Sequence, residues 1–288
     1  MQNELFQRKS TAVEAPSAEF KLSITRALAD QLAEALKDLN PAPLTAAALA
    51  KLKNEPGVYE LSYQGQRVYV GKASSSLPKR LGKHLRKLSG RSGIDMSEVK
   101  FVCLYVEEDL DAAGPEKMLI KKYGEGGAPW NKNGFGNNDP GRKRDDSLVK
   151  RNHFDAVFPV NLDFEIDLAS HGAGSVSSLL GRVKRALPFN LRFETKNANA
   201  KQLAQVKIDF PVGDVRLRDV VHGVIDALPE GWQATALPGY VIIYREEMSY
   251  ESAKIIWRKQ DNNVIEVQGQ GLLDDAGEVE EELDDGDE

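Results

Sequence analysis

Two β-rich runs, Val58–Tyr63 and Arg67–Gly71, flank the turn-forming Gln64-Gly65-Gln66, and Pro56-Gly57 punctuates the chain just ahead of them. The pattern predicts an antiparallel hairpin. Leucines at 77, 81, 85 and 88 then mark a helix over Leu77–Leu88, Val99–Glu107 reads as a third strand, and Ala112–Tyr123 as another helix. Ahead of the hairpin, Leu28, Leu32, Leu36 and Leu39 recur at helical spacing over roughly 24–39, where Pro41 ends the pattern, and a short helix is expected over 44–53.

The stretch 124–146 is dense in Gly, Asn, Pro and charge, the composition of a long functional loop, ordered or partly mobile. Beyond it, Val157–Leu168 alternates like a strand, Val176–Ala186 has helical spacing, and 189–247 suggests strand, strand, helix, strand, with Val241–Tyr244 as the last. The expected class is α+β: a small antiparallel sheet flanked by helices, then a second small α+β domain. The divisions are a helical arm over 1–45, a first domain over 46–160, a second over 161–262, and an acidic tail over 263–288 that lacks apolar groups to bury and is expected to be disordered.

The formal charge of -6 sits badly with a polyanionic partner until its distribution is read. Residues 274–288 hold ten carboxylates and no basic group, whereas 67–151 holds eighteen Lys and Arg against eleven Asp and Glu. That basic stretch could track a phosphate backbone, or it could be an ordinary solvated surface. Cys103 is the only cysteine, which excludes internal disulfides and Cys-rich zinc sites, so a metal would need oxygen or imidazole ligands. Met1–Ser10 lacks the features of a secretory signal and no apolar run could span a bilayer, so the expected location is cytoplasmic, without membrane contact.

Three features carry chemistry. Tyr59 and Tyr69 stand on the two paired strands, where tyrosines are also ordinary packing residues. Arg80 and His84 lie four apart on one helical face beside the leucine stripe, a face shared with Lys83 and Lys87 that could equally be solvated. Glu116 shares its helix side with Leu119, Ile120 and Tyr123. A carboxylate pointing toward an apolar face needs a cation, a hydrogen-bond network or a site at the core's edge, although a Glu at a helix N-terminus is also favoured by the dipole.

Taken together, Gly57-Val58-Tyr59, Tyr69-Val70-Gly71, Arg80, His84, Glu116 and Asn131 resemble the GIY-YIG nuclease superfamily over about 55–135, with valine where the family name has isoleucine. The Arg-x-x-x-His pair followed by WNKNGFGNNDPG at 130–141 resembles the branch of type II restriction enzymes that cut CCGCGG, a likeness extending to about residue 160. The resemblance implies a GIY-YIG fold and a DNA phosphodiester hydrolase. In it Glu116 holds one Mg²⁺ or Mn²⁺, Tyr59 helps deprotonate the attacking water, and Arg80 neutralises charge on the phosphate. Tyr69 and His84 position water or phosphate, Asn131 orients the phosphate or braces the site, and Lys72 assists the base. Tyr59 and His84 both remain candidates for the general base.

A palindromic target implies a homodimer on double-stranded DNA and a companion methyltransferase acting on the same site. Arg142, Lys143 and Arg144 could contact phosphates or read guanine edges, or form a solvated basic loop. Repair, recombination or homing by a related nuclease, and DNA binding without cleavage, are the alternative functions. His153, His171 and His222 are scattered, and the Gly- and Ser-rich 172–178 lacks the lysine and spacing of a phosphate-binding loop.

Overall fold

In the computed structural model of the chain, residues 24–106, 114–124, 126–137, 141, 144–168, 174–209 and 213–274 are described. They form a mixed α+β architecture with two sheet-and-helix units. The first unit runs α1 (Ile24–Lys37), β1 (Ala42–Pro43), α2 (Ala46–Leu49), β2 (Gly57–Tyr63), β3 (Gln66–Ala73), α3 (Leu77–Ser89), β4 (Val99–Tyr105) and α4 (Pro115–Tyr123). Its sheet is antiparallel with order β1-β4-β2-β3. The β2–β3 turn narrows to two residues, Gln64 at φ 51° and Gly65 at φ 76°, whose left-handed backbones follow the twist of the flanking strands.

Side chains alternate across the hairpin and divide the unit into three layers. Tyr59, Leu61, Tyr69 and Ala73 face Leu77, Leu81 and Leu88 of α3, together with Trp130, Phe135 and Phe154. Val58 and Val70 face the other way, onto Leu32 and Leu36 of α1 and Leu119 of α4. Within the expected helical arm, α1 thus forms one wall of the first core. Ser76 caps α3 by accepting from Lys79 N, with Pro78 in the first turn where a missing N–H costs nothing.

The chain continues with β5 (Val149–Lys150) and α5 (Phe154–Val157), whose Phe154 still belongs to the first core, and the second unit follows with β6 (Glu165–Asp167), β7 (Gly174–Ser175), α6 (Val176–Ala186), β8 (Asn190–Phe193), α7 (Ala198–Gln205), β9 (Lys207–Ile208), β10 (Asp214–Arg216), α8 (Leu217–Ala227), β11 (Gln233–Ala236), β12 (Tyr240–Tyr244), β13 (Ile255–Gln260), β14 (Asn263–Gln268) and β15 (Leu273–Asp274). Five strands pair in the order β14-β13-β11-β12-β8, with β8 parallel to β12 and the rest antiparallel. One face buries α6 and α8 through Leu179, Val183, Val221 and Ile225. The other carries Tyr240, Ile242, Tyr244 and Ile256 against Tyr250 and Ala253. With both faces covered, β11 and β12 are buried along their whole length.

Several expectations are revised. The helix expected over 44–53 shrinks to Ala46–Leu49. Val157–Leu168 is not one strand: Phe154–Val157 is helical, Pro159 offers no donor, and an Asn161–Asp163 turn, with Asp163 N donating to Asn161 Oδ1 at 3.0 Å, leaves only Glu165–Asp167 extended. Val241–Tyr244 is not the last strand, because Ile255–Gln260 and Asn263–Gln268 form a further hairpin through Asp261 and Asn262. The sheet thus passes the expected start of the tail at 263, and Leu273–Asp274 pairs with β5. Residues 275–288, and His171, lie outside the described residues.

Candidate active site at the first half of α3

Gly57 and Gly71 are required here by close approach. A Cβ on Gly71 would stand 2.3 Å from the Tyr59 hydroxyl and 2.7 Å from the Tyr69 ring, and one on Gly57 would stand 2.2 Å from the Leu104 carbonyl oxygen. Gly71 lets the tyrosine rings lie across the hairpin, with centroids 6.1 Å apart, and Gly57 lets β2 close on Leu104 and Leu77.

Above the rings, α3 lays Arg80 and His84 one turn apart, as their spacing predicts. The Tyr59 hydroxyl and His84 Nε2 share a hydrogen bond of 2.6 Å, and Arg80 Nε donates to the Tyr59 oxygen at 3.3 Å. Tyr59 is fully buried and His84 nearly so, while Arg80 is half-buried and is the member of the group that reaches toward solvent. The Tyr69 ring packs edge-on to His84 at 5.2 Å.

Burial pushes the Tyr59 phenol well above its ordinary range, and the charges of Tyr69 and Glu116 add to that, against the opposing pull of Arg80. Burial likewise drives the His84 imidazole well below its ordinary value, helped by Arg80, Lys87 and Lys83. Both partners are neutral near pH 7. Glu116 is half-buried in the first turn of α4, which packs the other face of the sheet, and its charge is the least of the influences on the Tyr59 phenol.

The remaining candidates separate. Asn131 does not point at this group. Its Oδ1 accepts from Val70 N at 2.8 Å and its Nδ2 donates to Val70 O at 2.7 Å, so it acts as a one-residue strand on the outer edge of β3. Lys72 is opposite Val58 in the hairpin register and so lies on the face packed by α1 and α4, not on the Tyr59 face. Arg144 is turned inward, donating to Asp155 Oδ2 at 2.8 Å. Arg142 and Lys143 lie outside the described residues.

Sequence reasoning missed Phe135. It stacks on His84 with centroids 4.9 Å apart at 22°, packs edge-on to Tyr69 at 5.0 Å, and accepts a hydrogen bond from Lys87 Nζ at 2.6 Å through its carbonyl. The available signal was one aromatic inside a Gly- and Asn-rich loop.

Among the described residues no three metal-ligating side chains gather. Glu116 is the carboxylate that would hold a divalent ion, with water and substrate oxygens filling its shell, a donor type that suits Mg²⁺ or Mn²⁺. No described helix is long and apolar enough to cross a membrane. The chain matches no family model and no curated protein sequence, so the chemistry of the site rests on its own geometry.

Proposed function

We propose that this chain is a divalent-metal-dependent endonuclease of the GIY-YIG type, hydrolysing phosphodiester bonds in double-stranded DNA as a type II restriction enzyme. One observation carries the reading. Tyr59, His84 and Arg80 form one hydrogen-bonded group on the α3 side of the sheet.

The parts suit the reaction. Tyr59 and His84 work as a unit: the phenol oxygen takes a proton from the attacking water as it hands its own to the neutral His84 Nε2, so no free phenolate forms, and the imidazolium then releases that proton toward the leaving oxygen. The Arg80 guanidinium, always charged and reaching outward, stabilises charge on the phosphate as the bond to the leaving oxygen lengthens. Tyr69 and Phe135 fix the imidazole plane, and Asn131 holds the strand that carries Tyr69. A metal ion held by Glu116 would polarise the phosphoryl oxygen and acidify its bound water. A palindromic target would bring two chains together as a homodimer, with a companion methyltransferase protecting the same sequence in the cell.

Incubation of the full chain with plasmid and Mg²⁺, followed by sequencing of the ends, tests this. Discrete ends at one palindrome, lost in Glu116→Ala at unchanged melting temperature, are the expected result. Binding without cuts, or equal cutting by Glu116→Ala, removes the proposal.

A further inference from the structure

The second half of α3 borders a cavity of about 440 Å³ at the junction of the two units. Its wall brings together Arg86, Lys87, Arg91, Arg144 and Lys184 around a single carboxylate, Asp155. That carboxylate is already engaged by Arg91 Nη1 and Arg144 Nη2, each at 2.8 Å. The cavity therefore carries a surplus of positive charge, and part of it is buried: Arg91 is 7% exposed.

Burying cations beyond their counter-ions is costly. Burial and the neighbouring guanidinium groups, against the pull of Asp155, hold the Lys87 ammonium down at about 8, and burial lowers Arg91 from its ordinary value. The Arg91 Nε–H is buried without an acceptor among the described residues. An anion in the cavity would relieve the repulsion among these cations. The remaining wall is mixed, with Leu187, Pro188 and Phe189 beside Tyr240. The volume exceeds what one phosphate fills and falls in the usual range of small-molecule sites.

We propose that this junction cavity is a binding site for the phosphoryl group of a nucleotide-sized ligand, its guanidinium and ammonium groups holding the phosphate while the apolar segment 187–189 receives the attached sugar and base. The site is distinct from the Tyr59 group, from which Phe135 separates it, and it stands whether or not that group cleaves DNA. Two sources share this chemistry: a nucleotide unit of a bound DNA strand, or a free nucleotide.

The test is calorimetric titration of thymidine 3′,5′-bisphosphate into the full chain, in chelator and at fixed ionic strength. Saturable binding at one site per chain is expected, with no binding of thymidine. Lys184→Glu, at an exposed position that folding tolerates, weakens it about tenfold or more, the scale of one charge-assisted contact, and Lys87→Met weakens it as well. Arg80→Ala leaves it unchanged. The absence of saturable heat, indifference to both lysine variants, or loss in Arg80→Ala overturns the proposal. A DNA duplex that displaces the bisphosphate, and is itself weakened by Lys184→Glu, identifies a strand phosphate as the natural occupant. Simultaneous binding of both identifies a free nucleotide, and either result supports the site.

Discussion

Along the first half of α3 the buried polar groups are kept neutral. Tyr59 and His84 share one hydrogen bond, and burial moves each away from its charged form. Past its C-terminal end they are charged, with Arg91 and Arg144 closing on the one carboxylate of Asp155 at 2.8 Å each and positive charge left in excess. The helix and the segment just past it thus show two ways of hiding polar atoms. A buried charge cluster of this kind resists change, because losing one member strands the others. A neutral pair costs little to bury and can move a proton, which an ion cluster cannot do without breaking. Proton transfer is therefore expected at the first half, and anion binding together with joining of the two units at the other end. In keeping with this, Arg86 Nη2 donates to the carbonyls of Arg185 and Leu187 at the end of α6, and Asn161 N donates to Gly90 O.

The sharpest way to break this comparison is Tyr59→Phe. It removes the shared proton and keeps the ring that fills the space over Gly71. The expected result is a cleavage rate lower by about 10²–10⁴-fold, the usual worth of a positioned acid–base group, with a melting temperature within a few degrees of the parent. A rate left unchanged, measured by single-turnover cleavage, would make Tyr59 a packing residue and the two ends of α3 alike.

Asp155→Ala probes the other end and should act in the opposite sense, on stability. It leaves Arg91 and Arg144 facing each other in a buried site, a change that typically costs about 3–5 kcal/mol. Chemical denaturation of the purified variant reads this directly. Whatever activity survives should follow the folded fraction.

Acid tests the same cluster without mutation. Burial alone would raise the Asp155 carboxyl, but Arg91, Lys87 and Arg144 outweigh it and hold it down at about 2, from an ordinary 3.8. A carboxyl whose folded value is depressed contributes stability that is complete above the unfolded value and is lost as pH falls through the folded one. About 2 kcal/mol is therefore expected to disappear between roughly pH 4 and pH 2. Urea midpoints across that window check it, and Asp155→Asn should flatten this part of the curve.

Much of the first unit was legible in the sequence. Period-two alternation around a two-residue turn located β2 and β3, the leucine stripe located α3, and a carboxylate on an otherwise apolar helix side drew attention to Glu116. What escaped depends on contacts between distant segments. Phe135 is one aromatic in a Gly-rich loop until His84, some fifty positions earlier, is folded onto it. The Arg91–Asp155–Arg144 cluster has no local pattern at all. In the second unit, α7 was invisible because only Leu203 on it is buried. The Ile255–Gln260 and Asn263–Gln268 hairpin was overshadowed by the acidic composition beyond it, although Asp261-Asn262 has the residue types that tolerate the positive φ of 50° and 60° observed there.

The smallest expected effect sharpens the comparison most finely, because it separates a brace from a ligand. Asn131 reached the candidate list by resemblance to groups that act on phosphate, yet both ends of its amide are spent on Val70, beside Tyr69. Asn131→Ala removes two hydrogen bonds at a sheet edge where water can replace part of what is lost, so the cost should be about 1–2 kcal/mol. Some loosening of Tyr69 should follow, with a cleavage rate lower by less than tenfold. Asn131→Asp restores the acceptor for Val70 N but not the donor for Val70 O, and should recover only part of the stability. If Asn131→Ala instead stopped cleavage at unchanged stability, the amide would be acting on substrate after rearranging away from β3, and the edge-strand role would be wrong.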